Sequence, residues 1–216
     1  MPSEPIIFES KEEAIKLLSK YSARFEFPII EYSEDELIKY SVGGSIFRAF
    51  SLSNQSGSIV YKNWAKQNLK KLLVDLKKAK SQKKFDELVL QYSHSLIDYW
   101  AKRVENKSEK IGFGPASKIV NLFIKVIQLS TNHRIKGIDH LLNVPFDLYT
   151  IRPLKNIIND LSDVNYNIKI PSTATMGYVV NEELYWVLTK AIRKLCKEAE
   201  IMPIVYEYWG WDRTHY

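Results

Sequence analysis

The chain carries one cysteine, Cys196, in 216 residues. A lone thiol builds neither a disulfide framework nor a thiolate metal cage. A reducing, cytoplasmic compartment is the expectation that follows. Glycine and proline are scarce, at 8 each, too few for the many tight turns of an all-β chain. No apolar run approaches the roughly 18 residues that a membrane-spanning helix needs, so no membrane partner is expected. The opening stretch PSEPIIFESKEEA is acidic and lacks the apolar stretch of a secretory leader. His94, His133, His140 and His215 show no metal-ligand spacing, and no cofactor is expected.

Apolar residues make up 45% of the chain and charged residues 26%, enough core to exclude disorder. The length suits one large domain or two small lobes around one cleft. The net charge is +6, and it is unevenly spread. From Met1 to Phe50 there are 6 basic and 9 acidic residues, a net of −3. From Lys62 to Lys110 there are 13 basic and 6 acidic residues, a net of +7. Such asymmetry fits a polyanionic partner, and equally a lysine-rich solvated surface.

Helical signals recur along the whole length. Ser10–Glu13 and Ser33–Glu36 are capping patterns that open helices, the first running to about Arg24. An apolar face over Val42–Asn54 predicts a third helix. Ser58–Lys80 and Ser81–Val104 place their apolar residues at helical spacing. Ile111–Pro115 reads as a tight turn with Pro115 at the first position of the next helix. That helix, to Leu129, is apolar over most of its circumference, which predicts burial on most sides. Asn132–Asn143 is a connection with room for a short helix. Pro145–Leu161 is expected to be helical with a break near Pro153, and Val164–Gly177 to be a loop. A long amphipathic helix over Asn181–Ala199 and an aromatic-rich segment over Pro203–Trp211 close the chain. The expected fold is all-α, about ten helices and no strand, with a bundle lacking a cleft as the alternative.

The informative stretch is Ile111–Leu154. The glycine turn IGFGPASK leads into the buried helix carrying Lys118, and Asp147 follows 147 − 118 = 29 residues later in NVPFDLYTIRPL. An amine held among apolar side chains is the nucleophile that Schiff-base chemistry uses. Lys125, two turns along the same face, competes for that role. A helix-start aspartate has a plain second reading, since it caps free backbone N–H groups.

These segments resemble the helix–hairpin–helix superfamily of DNA glycosylases, most nearly the archaeal 8-oxoguanine glycosylases. Gly112-Phe113-Gly114 through Lys118-Ile119-Val120 is similar to the family's hairpin and the lysine-bearing helix after it. Val144-Pro145-Phe146-Asp147-Leu148-Tyr149-Thr150-Ile151-Arg152 is similar to its P-V-D-x-x-V-x-R segment. Ile201–Trp209 is similar to its closing segment, which ends in an aromatic near the base pocket. Ser53-Asn54-Gln55 matches a Ser-Gln-Gln whose glutamine reaches the duplex. The matches occur in the family's order and cover about the last half of the chain plus one early helix. The iron–sulfur cysteines of some members are absent.

The resemblance implies a single glycosylase-like domain over residues 1–216. Its N-terminal helical lobe spans about 1–110 plus the C-terminal helices, and its hairpin and catalytic region spans about 111–161. It implies a monomer acting on double-stranded DNA, with Asp147 and Lys118 catalytic. It implies base or substrate contacts by Gln55, Tyr206, Tyr208 and Trp209, and DNA contacts by Gly112, Gly114, Ala116 and Arg152. Lysines of the Lys62–Lys110 region would add a basic rim. The chemistry suits these residue types: breaking an N-glycosidic bond builds positive charge on the sugar, which a carboxylate stabilises. A lysine attacking C1′ would add strand cleavage, and water in its place would give base release alone. The polar loop Ser172–Thr175 is a place for base selection. An oxidised purine is the expected base. A hypermodified base, such as a glucosylated hydroxymethylcytosine of phage DNA, is the alternative and would make this a defence enzyme. A DNA-binding protein without catalysis and a helical partner-binding module are the non-enzymatic readings.

Overall fold

A computed structural model describes residues 4–47, 56–106, 109–162 and 168–212. The fold is all-α. Among these residues the only extended pairing is an isolated parallel bridge between Ile30 and Ser130, and no helix is long and apolar enough to cross a membrane. The chain divides into two compact units. One comprises Met1–Glu26 and Asn143–Tyr216, the other Phe27–Leu142.

The continuous unit holds α2 (Glu34–Tyr40), α3 (Gly44–Phe47), α4 (Gly57–Lys78), α5 (Gln82–Ala101) and α6 (Phe113–Leu129). Side chains set most of the starts. The Ser33 hydroxyl accepts from the Glu36 amide while the Glu36 carboxylate reaches back to the Ser33 amide, and the Ser81 hydroxyl accepts from the Lys84 amide. Helix α6 packs on α5 and α2, and α4 on α5. Their shared core is aromatic: Trp64 meets Tyr92 and Phe123 edge-on at 6.3 Å, and Trp100 is fully buried. Rings of this size bury enough apolar area to dominate a small core.

Two expectations are corrected in this unit. Helix α6 starts at Phe113, with Gly112 as its N-cap, so Pro115 is the third helical residue and not the first. Amides of the first turn have no partner within the helix, so a proline anywhere in that turn loses no bond. Of the helix expected over Val42–Asn54, Gly44–Phe47 is helical, Val42 and Gly43 precede it as non-helical chain, and residues 48–54 lie outside the described residues.

The discontinuous unit holds α1 (Lys11–Ser22), α7 (Leu148–Ile151), α8 (Ile158–Leu161), α9 (Glu182–Glu198) and α10 (Pro203–Trp211). Helix α1 packs on α9 and α10, α8 on α9, and α10 on α7 and α9. The N-terminal stretch of chain is tied in through the backbone of Phe8: its amide donates to Pro153 O at 3.1 Å, and the Asn156 side-chain amide donates to Phe8 O at 3.0 Å. The stretch expected as one interrupted helix over Pro145–Leu161 is three short pieces, α7, a 3-10 turn over Arg152–Leu154, and α8. Pro153 has no amide to continue α7, and Asp147 delays its start to Leu148.

Candidate active site

The site is built on the start of α7. Residues Val144–Asp147 are buried, and Asp147 itself is extended, at φ −153° and ψ −168°. That backbone turns its carboxylate onto the helix start. Oδ1 accepts from the Tyr149 amide at 2.9 Å. In return the Asp147 amide donates to Thr150 Oγ1 at 2.8 Å, and that hydroxyl donates to Pro145 O at 3.0 Å. The pair is a capping box in which aspartate and threonine take the usual places of serine and glutamate. Such a cap contributes about 1 kcal/mol.

The other carboxylate oxygen has a separate partner. Trp211 Nε1 donates to Asp147 Oδ2 at 3.2 Å, and the Trp211 ring lies against Tyr149 with centroids 4.6 Å apart. Asp147 is 6% exposed, whereas Trp211 is 43% exposed. The helix-cap reading and the chemical reading of Asp147 are therefore compatible, because they use different oxygens. One oxygen fixes the carboxylate in place, and the other faces a side chain that stands partly in solvent.

Helix α10 brings Trp211 there. Tyr206 is fully buried, and its hydroxyl donates to Thr150 O at 2.8 Å. Burial pushes that hydroxyl well above the usual tyrosine value, with Cys196 and Asp147 acting in the same direction. At Gly210, an added Cβ would lie 2.5 Å from Tyr149 O, so only glycine allows α10 to approach α7 this closely. Trp209 is 2% exposed and stacks on Phe8 at 4.7 Å, while half-buried Tyr208 meets Phe25 at 5.0 Å. Arg152 Nε donates to Ala174 O at 3.0 Å, which fastens the polar loop Ser172–Thr175 to the end of α7.

The same unit thus joins Asp147, Arg152 and Tyr206 to one another through Thr150 and the α7 backbone. Thr150, Gly210 and the indole bond of Trp211 were not singled out as site features from sequence. The pattern D-x-x-T and the crowded ending W-G-W are the signals that carry them.

The remaining candidates belong to the continuous unit. Gly112 is the exposed N-cap of α6, and Gly114 and Ala116 are buried in its first turns. The Ala116 amide donates to Gly112 O at 3.1 Å as the first helical bond. Lys118 is 7% exposed, and Lys125 is half-buried. Asn121 secures this part of the helix by donating to Ser117 O at 2.9 Å. Gln55 lies outside the described residues. Among the described residues there is no group of three histidine, cysteine, aspartate or glutamate side chains placed to hold a metal ion.

No protein-family model, no curated protein and no solved structure matches this chain.

Proposed function

We propose that this protein is a DNA glycosylase that cleaves the N-glycosidic bond of a damaged or hypermodified base, with Asp147 as its essential carboxylate. The observation that carries the reading is the division of labour at Asp147: Oδ1 caps α7 while Oδ2 is held by the partly exposed indole of Trp211. As the C1′–N bond breaks, its electron pair leaves with the base and the sugar becomes cationic. A carboxylate fixed in a water-poor setting stabilises that charge without having to reorganise. Trp211, 43% exposed, supplies an aromatic ring against which an extruded base can stack. Lys118, buried on α6, is the candidate nucleophile: its Nζ would take C1′ and lead to a Schiff base, with water serving instead in a monofunctional enzyme.

The test is mass spectrometry of bases released from three DNAs: oxidised, alkylated, and phage DNA with glucosylated hydroxymethylcytosine. Release from oxidised DNA alone assigns repair of oxidised purines, and release from phage DNA alone assigns defence. Release from none, with binding retained, would overturn catalysis and leave a DNA-binding protein.

A further inference from the structure

Helix α4 presents a surface that the chemistry at Asp147 does not use. Ten of its residues are exposed: Ile59, Asn63, Gln67, Val74 and six lysines. The lysines are Lys62, Lys66, Lys70, Lys71, Lys77 and Lys78, and no carboxylate stands among them. The one acidic residue of the helix, Asp75, accepts a hydrogen bond from Tyr92 at 3.0 Å on the side facing α5. At 3.6 residues per turn, Lys62, Lys66, Lys70 and Lys77 fall within an arc of about 80° and extend over roughly 22 Å.

That arrangement works against the helix itself. Lysines four apart repel, by about 0.2–0.5 kcal/mol per pair, and a face made only for solubility would intersperse both signs. Lys66 has a counter-ion in Asp35 of α2 at 3.2 Å, with both side chains more than half exposed, so the bond is weak. Among the described residues, Lys62, Lys70 and Lys77 have no ion-pair partner. Steps of about 6 Å from Lys62 to Lys66 to Lys70 and of about 10 Å from Lys70 to Lys77 spread the charge along the axis, which suits an extended charged polymer better than a single compact anion. Ile59 and Val74 are the exposed apolar residues of the helix, and they lie 15 positions apart, which gives no apolar face for insertion into a bilayer.

We infer that the exposed lysine face of α4 is a docking surface for the phosphate backbone of duplex DNA. The inference rests on the glycosylase reading for its choice of DNA as the polyanion. It predicts contacts that position the protein without reading sequence. Each lysine that neutralises a phosphate releases counter-ions and adds about 0.9 to the salt slope of binding.

The test is fluorescence anisotropy of the full chain with an undamaged duplex, across roughly 50–200 mM salt. The triple variant K62A/K70A/K77A should lower the slope of log affinity against log salt by about 3, and weaken binding at the low-salt end at least about tenfold. The charge-preserving K62R/K70R/K77R should restore both. A triple alanine variant with wild-type slope and affinity overturns the docking surface and leaves the glycosylase reading to the base-release experiment. An arginine variant as weak as the alanine one also overturns it, since charge would then not be the cause. So does a variant that loses binding only to vesicles rich in phosphatidylserine. A wild-type chain without duplex affinity overturns this inference and the glycosylase reading together.

Discussion

Trp211 and Asp147 are joined by a hydrogen bond from the indole nitrogen to Oδ2, at 3.2 Å. The two residues come from opposite ends of the discontinuous unit's long segment, and the bond sets a partly exposed ring over a buried carboxylate. It also separates what the carboxylate does for the fold from what it does for the proposed reaction.

Substitution at Asp147 should therefore split stability from activity. Asparagine caps helices about as well as aspartate, so Asp147→Asn should unfold in urea within about 1 kcal/mol of wild type. It carries no charge, and base release should fall at least about 100-fold. Asp147→Ala should lose both, with a further cost of about 0.5–2 kcal/mol from the missing cap. An Asp147→Asn enzyme with wild-type base release would remove the aspartate from the mechanism.

Borohydride reduction during reaction should trap a covalent protein–DNA adduct through a lysine. Buried Lys118 is the expected attachment point, so the adduct should vanish in Lys118→Ala and persist in Lys125→Ala. The opposite pattern would transfer the role to Lys125. Base release with no adduct in the wild type would identify water as the nucleophile.

Gly210→Ala should destabilise the protein, because the new methyl would sit 2.5 Å from a backbone oxygen of Tyr149. Backbone on both sides leaves no flexible atom to give way, and overpacking of this kind costs about 1–3 kcal/mol. Gly44→Ala is the control, since nothing lies within 4 Å of its added Cβ. Urea midpoints of the two variants should move in different directions or by clearly different amounts.

Alkaline pH should weaken the fold through Tyr206. Its hydroxyl is pushed well above the ordinary tyrosine value by burial. The unfolded chain therefore releases the proton first as pH rises. Stability is fully present below about pH 10 and declines above it. Burial of Tyr61 and Tyr92 acts in the same direction. Urea unfolding of Tyr206→Phe should show a shallower decline above pH 10. At neutral pH that variant should be weaker by about 1–3 kcal/mol, because Thr150 O loses its buried donor.

Helix starts were legible at several of the residues whose side chains make the cap, but not at Ser56, where α4 opens at Gly57 and not at Ser58. Ser33, Ser81 and Asn181 each stand one residue before a helix and accept from an amide within its first turn. The start of α6 was misplaced by two residues because Gly112 caps without a side chain. Asp147 was legible as a cap for the same local reason that Ser33 was. The Trp211 bond was not, because it links residues 64 positions apart, and no local pattern encodes where a chain returns. The burial of Lys118 followed from the apolar circumference of its helix. The concentration of lysine on one face of α4 required knowing which of its sides the core occupies.

Trp211 also makes the site observable without a label. The chain has five tryptophans. Trp64, Trp100 and Trp209 are buried, Trp186 is half-buried, and Trp211 is 43% exposed. Emission from the reddest edge of the fluorescence spectrum should then come largely from the one indole that touches Asp147, and quenching by iodide should read its accessibility. A ligand that covers that ring would announce itself in the protein's own light.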